Sequence, residues 1–263
     1  MTSITRLGIA GLVTAVLAAV PAAAQTVTVT PSNTQGWGYV DQVGAGTATI
    51  NNTQPRSGNG SLEITTPSGS DKAYYGVGIT PTSLNNISSA SFDWYKPGTS
   101  GGAPYAAPAF HFLVANTDNT GTHYSELVWE WVYNNPSNSA GTAPTDQWVT
   151  SDVGNGEFWR SMGGPTDTSC NPLTTGTEKF ATLAEWNADC YGGTAMVYGM
   201  SVGFGRVSAF DGFVDNVSVG VGTAPATTYN FETDVSTTPE PSSLALLGTG
   251  LFGLVPMIRR RRR

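Results

Sequence analysis

Short runs in which apolar and polar residues alternate, each stopped by Gly, Pro, Asn or Ser, fill the chain from Gln25 to Glu232. A period of two is the spacing of a strand whose two faces meet different surroundings. The runs begin with QTVTV at Gln25, GTATI at Gly46, SLEIT after the turn Pro55–Gly60, SASFDWY ending at Pro97-Gly98, and AFHFLVAN from Ala109. HYSELVWEWVYNN, from His123, alternates strictly. Leu127, Trp129, Trp131 and Tyr133 fall on one side, and Glu126, Val128, Glu130 and Val132 on the other. QWVTSDV, EFWRSM, AMVYGMSVGFG and GFVDNVSVG follow, and YNFE from Tyr229 reads as a last edge. Met196, Tyr198, Met200, Val202 and Phe204 share a face, and the opposite face, mostly Gly and Ser, lets another layer approach closely. About ten short strands, without βαβ alternation or a fixed repeat, predict an all-β, antiparallel β-sandwich. One short helix is expected from Glu178 to Trp186, where Thr182 and Glu185 have capping-box spacing.

The two ends are of another kind. Arg6 precedes an apolar run from Leu7 to Val20, and Ala22-Ala23-Ala24 supplies the small residues a signal peptidase cuts after. About 14 apolar residues are too few to span a bilayer comfortably. Residues 1–24 therefore read as a secretory signal, and the mature chain starts at Gln25. Ser243 to Ile258 is sixteen residues without charge. As a helix it is about 24 Å long against roughly 30 Å of hydrocarbon, so it inserts with thinning or snorkelling. Arg259, Arg260, Arg261, Arg262 and Arg263 follow, and the positive-inside bias keeps them cytoplasmic with the body outside.

The order Pro239-Glu240-Pro241, apolar helix, terminal Arg cluster resembles the PEP-CTERM sorting signal. That resemblance implies recognition by an exosortase, a membrane transpeptidase-like enzyme, in a Gram-negative bacterium that makes extracellular polysaccharide. It implies transient residence in the inner membrane, cleavage near Pro239-Glu240-Pro241, and release or attachment at the cell surface or in the extracellular matrix. The alternative is a plain tail anchor. The chain then divides into a signal (1–24), one extracellular domain (25–238) and a sorting tail (239–263).

The extracellular part holds six basic and eighteen acidic residues, a net charge of −12 that the whole-chain value of −7 hides. Such a surface repels phosphate backbones, which disfavours nucleic acid as a partner. Cys170 and Cys190 both lie in the exported part, where an oxidising compartment pairs them. Closing that loop contributes on the order of 3 kcal/mol by chain-entropy reasoning. Their wide spacing, with no histidine nearby, is not a zinc signature. The Trp37 region, the SGNGSLEI segment and the closing FVDNVSV strand stand in the order found in extracellular jelly-roll domains of the carbohydrate-binding-module kind, which the two ends of this domain resemble. A concanavalin-like sandwich is the competing topology.

Trp129, Trp131 and Tyr133 form an aromatic row that is either a platform for sugar rings or part of the core. Glu126 and Glu130 sit four apart in a strand, about 13 Å, whereas glycosidase pairs stand roughly 5–9.5 Å apart. There is no Glu-x-Asp-x-x-Glu strand and no Gly-x-Ser-x-Gly elbow, and the two histidines, His111 and His123, read as surface residues. The expectation is a protein that is not an enzyme. Asn116 to Gly121 reads as a hairpin turn. Asp215 lies within FVDNVSV beside apolar neighbours and needs a partner. In the modules this domain resembles, an Asp at this place often joins a structural calcium site; a hydrogen-bonded structural Asp is the other reading, and no further cofactor is expected. These features together predict an exported, non-catalytic surface or biofilm-matrix protein associated with exopolysaccharide. The alternatives are an adhesive protein without a ligand site and a polysaccharide-active sandwich enzyme.

Overall fold

The computed structural model describes residues 24–118, 121–135, 141–163 and 179–234. The expected signal segment, the sorting tail and Cys170 lie outside the described residues. In chain order, β1 (Gln25–Val29), β2 (Gly38–Val43), β3 (Thr47–Asn51), β4 (Ser61–Thr66) and β5 (Lys72–Ser83) come first. A single 3-10 turn, Leu84–Asn86, leads into β6 (Ile87–Tyr95). β7 (Ala109–Asp118) and β8 (Gly121–Trp129) form a hairpin, as the turn residues between them predict. The four-residue α1 (Trp131–Asn134) precedes β9 (Trp148–Asp152) and β10 (Trp159–Gly163). Next comes α2 (Leu183–Cys190), followed by β11 (Met196–Gly205), β12 (Phe210–Val221) and β13 (Thr227–Phe231).

The thirteen strands make two sheets packed face to face, a jelly-roll-like β-sandwich. The long β12 organises the first sheet. β4 and then β13 pair with successive stretches along it, β6 also pairs with it, and β9 lies beyond β6. The second sheet runs β10-β8-β7-β11-β5-β2, with antiparallel neighbours throughout. One pair departs from the antiparallel expectation: β1 lies parallel to β13, so YNFE is flanked on both sides and β1 is the edge.

Cross-strand pairing explains the core. Ile50, Leu62, Val214, Trp94 and Val149 are paired in one row across the first sheet, and Trp129, Phe110, Val202 and Tyr75 in one row across the second. All but Val149 are buried. Truncating one such aromatic costs about 3–5 kcal/mol in lost transfer energy and residual cavity.

Three local readings need correction. β5 is absent from the sequence reading, although Ala73, Tyr75, Val77 and Ile79 alternate within it. The helix begins at Leu183, not Glu178, and runs to Cys190; the capping box of Thr182 and Glu185 is present and fixes that start. In β11 a bulge between Val197 and Gly199 breaks the alternation. Val197 therefore takes the core position, and Met196, expected on the same face as Met200, is 39% exposed. Cys190 is buried on the last turn of α2 and carries no free thiol.

Candidate functional site

The second sheet turns one face away from the core. On it Trp159, Val128, His111, Ser201 and Gly76 are directly paired across β10, β8, β7, β11 and β5. The small residues of β11 lie here, but what approaches them is not another layer. A Cβ at Gly203 would collide with the Tyr74 ring and the Ala73 carbonyl oxygen. Glycine at that position lets Tyr74 lie over the sheet, its ring centroid 4.3 Å from that of His111. His111 is thereby buried, contrary to the surface position expected for it. Glu126 accepts a hydrogen bond from Ser161 Oγ at 2.8 Å and lies 3.5 Å from His111 Nδ1. Burial pushes the Glu126 carboxyl up, but the His111 bond and charge, Ser161 and Lys72 together bring it down to about 2. The Tyr74 hydroxyl is raised, first by burial and then by the charges of Glu130, Glu126 and Asp41.

The row Trp129–Trp131–Tyr133 does not lie on one strand. β8 loses its partner after Trp129, which pairs with Phe110 one residue from the start of β7. The chain then turns into α1. Tyr133 N–H donates to the Glu130 carbonyl at 3.2 Å, and the Asn134 and Asn135 amides donate to the Glu130 and Val132 carbonyls at 3.0 and 2.9 Å. Asn side chains that bond local backbone in this way favour a turn over a continuing ladder. Trp129 consequently points into the core, 3% exposed and edge-on to Phe92. Trp131 is half-buried, and Tyr133 is exposed.

Trp131 and Tyr133 instead wall a cleft of about 240 Å³. Trp159 and Tyr74 reach it from the outer sheet face, Tyr105 from the loop before β7, and Phe204 from the end of β11. Lys96 holds that loop: its buried ammonium donates to the carbonyls of Ala103 and Pro104 at 3.2 and 3.1 Å. Burial lowers the Lys96 pKa. Glu130 lies in the lining, its carboxylate accepting the Trp159 indole N–H at 3.0 Å. Burial raises the Glu130 pKa, with the indole bond and the His111 charge pulling the other way. Glu126 does not line the cleft, so the two carboxylates read along one strand are not brought together there. Aromatic side chains around one fixed polar group are the composition of a small-molecule cleft, and aromatic rings suit the flat C–H faces of sugars. Trp159, Tyr74 and Tyr105 were not singled out by the sequence reading; each stands in a different segment, and only the fold gathers them.

Asp215 is fully buried, and its carboxylate accepts three backbone N–H groups, from Ser57, Asn216 and Phe231, at 3.1, 2.8 and 2.9 Å. Glu232 beside it accepts from the Asn59 N–H and the Asn230 amide. Five N–H donors thus surround two carboxylates and supply the positive potential that a cation would otherwise supply. A calcium ligand needs its oxygens free to face the ion. In this arrangement both Asp215 oxygens accept backbone N–H groups, the hydrogen-bonded structural role that was the other reading of this residue. The carboxyl clasps the loop before β4 to β12 and β13. Burial, with the Glu232 charge, pushes its pKa up to about 7 against the pull of the three N–H groups.

The tail has a recognisable identity. Residues 237–263 match the PEP-CTERM protein-sorting motif. The PEP-CTERM stretch covers Pro239-Glu240-Pro241 and the terminal arginines, the residues on which the sequence reading rested. No curated protein matches the chain. Among solved structures, the chain is similar to a family 11 carbohydrate-binding module from Clostridium thermocellum in complex with a mixed-linked tetrasaccharide, at 12% identity, TM-score 0.40, over 72% of this chain and 90% of that one. It is similar to a xylan-binding domain from Paenibacillus barcinonensis at 14% identity, TM-score 0.32, over 72% and 86%. It is also similar to a carbohydrate esterase from a Shiga toxin-encoding bacteriophage at 15% identity, TM-score 0.36, over 72% and 91%. Scores of this size say nothing of ligand or chemistry; the fold described above rests on the strands themselves.

Proposed function

We propose that this chain is an exported protein, processed by signal peptidase and exosortase at the inner membrane of a Gram-negative bacterium, that binds extracellular polysaccharide at the cell surface or in the biofilm matrix. The sorting motif supports export and surface sorting. The aromatic cleft of Trp131, Tyr133, Trp159 and Tyr74 supports the carbohydrate and carries the reading. The role is non-catalytic. Most glycosidases set two carboxylates about the scissile bond, and Glu130 is the one carboxylate lining the cleft among the described residues, which supports this reading over a glycosidase.

Affinity electrophoresis of the purified chain through gels loaded with different polysaccharides tests the reading. At least one polysaccharide should retard the protein, and Trp131→Ala, compared well below its own Tm because this indole also packs on the core, should weaken binding about tenfold. If none retards the wild-type chain, or if Trp131→Ala migrates as wild type, the cleft is not a carbohydrate site. The buried Trp129 favours the second reading, an adhesive matrix protein without a specific ligand site, and a wild-type chain that no polysaccharide retards would support it.

A further inference from the structure

The chemistry of the cleft narrows the class of glycan, an inference that rests on the carbohydrate reading. Glu130 is the one charged side chain in the lining, and no Lys, Arg or His stands beside it there among the described residues. Its carboxylate receives the neutral Trp159 indole, and no ion pair reaches it among the described residues. Tyr74, Tyr105, Trp131, Tyr133 and Trp159 line the same cleft. Indole and phenol faces attract cations through their quadrupoles, and a charge-assisted bond to a carboxylate is roughly twice as strong as a neutral one. A uronic acid would set its own carboxylate against Glu130, and no cationic side chain lines the cleft to pair with it among the described residues. The acidic extracellular part, at −12, repels a polyanion at longer range as well.

We propose that the cleft takes a glycan bearing protonated amines, an amino sugar without its acetyl group, and that Glu130 receives the ammonium while the aromatic walls cover the ring. Burial raises the Glu130 carboxyl, and an ammonium ligand would bring it back down. Glu130 is therefore a specificity residue, distinct from the aromatic walls that any sugar would use.

Calorimetric titration of the full chain with a β-1,4-linked glucosamine hexamer and with its fully N-acetylated counterpart, at a pH that protonates the amine, separates the two levels of the claim. The amine form should bind about tenfold more tightly, and added salt should erode that preference. Glu130→Gln should remove the preference, so that the amine and acetylated forms bind with equal affinity. If the acetylated hexamer binds as well as the amine form, or the preference survives both high salt and Glu130→Gln, this inference is overturned and the carbohydrate reading stands. If neither hexamer nor any polysaccharide in the gels binds, both fail. The salt titration needs no variant, so a preference that survives high salt overturns the inference even where Glu130→Gln does not fold.

Discussion

The buried carboxyl of Asp215 should make this protein less stable as the pH rises towards neutrality. Its ordinary value is 3.8, and in the fold burial lifts it to about 7. Each unit of difference is worth about 1.4 kcal/mol, so the gap of roughly three units corresponds to about 4 kcal/mol. The folded state holds this proton more tightly than the unfolded chain does. The stabilisation is therefore whole below about pH 3.8, and it is lost as the pH rises through about 7. Urea unfolding at a series of pH values between 4.5 and 8 should show the free energy falling by about 1 kcal/mol per unit, the midpoint moving and the m-value constant. Asp215→Asn should flatten that slope. It should also lower stability at acid pH, because its amide meets backbone N–H donors where a carboxyl accepted them. Millimolar calcium should leave the wild-type curve in place. Stability that climbs from pH 4.5 to 8, or a Tm that calcium raises, would refute this account of the site and restore the metal reading.

Below about pH 4.5 the trend should reverse. Glu126 is held near 2 by His111 and Ser161, so its contribution is lost as the pH falls from 4.5 towards 2, giving a stability maximum near pH 4 to 5. Thr182→Ala removes one half of the capping box on α2 and should cost about 1 kcal/mol in unfolding experiments. Thiol titration of native protein should find no reactive cysteine before reduction and two after, as expected of a Cys170–Cys190 bridge; two free thiols in native protein would exclude it. Mass spectrometry of the secreted form should show a C-terminus near Pro239-Glu240-Pro241, and a product still carrying Arg263 would contradict processing.

Alternation with period two located most of the strands because each face of a strand meets one environment, and that is a local property. QTVTV, SLEIT and SASFDWY are strands as read, and the capping box set the start of α2. What failed were properties set by partners distant in sequence. WVYNN continues the alternation of β8 perfectly, yet a strand extends only as far as its neighbour, and β7 begins at Ala109. The bulge in β11 is likewise imposed by pairing with β5 and β7 together. The cleft draws Tyr74, Tyr105, Trp131 and Trp159 from four segments, and no spacing in the sequence links them. Asp215 was legible as a buried carboxylate needing partners, but the partners themselves come from the loop before β4 and from β13.

The seven tryptophans offer a direct reading of where a glycan sits. Indole N–H resonances in a two-dimensional NMR titration of the protein with the polysaccharide that best retards it would place the contact residue by residue. Trp131 and Trp159 should shift on addition, and the buried Trp94 and Trp186 should stay where they are. Shifts absent from both cleft tryptophans while the polysaccharide is demonstrably bound would contradict the account, because binding would then occur elsewhere on the sandwich.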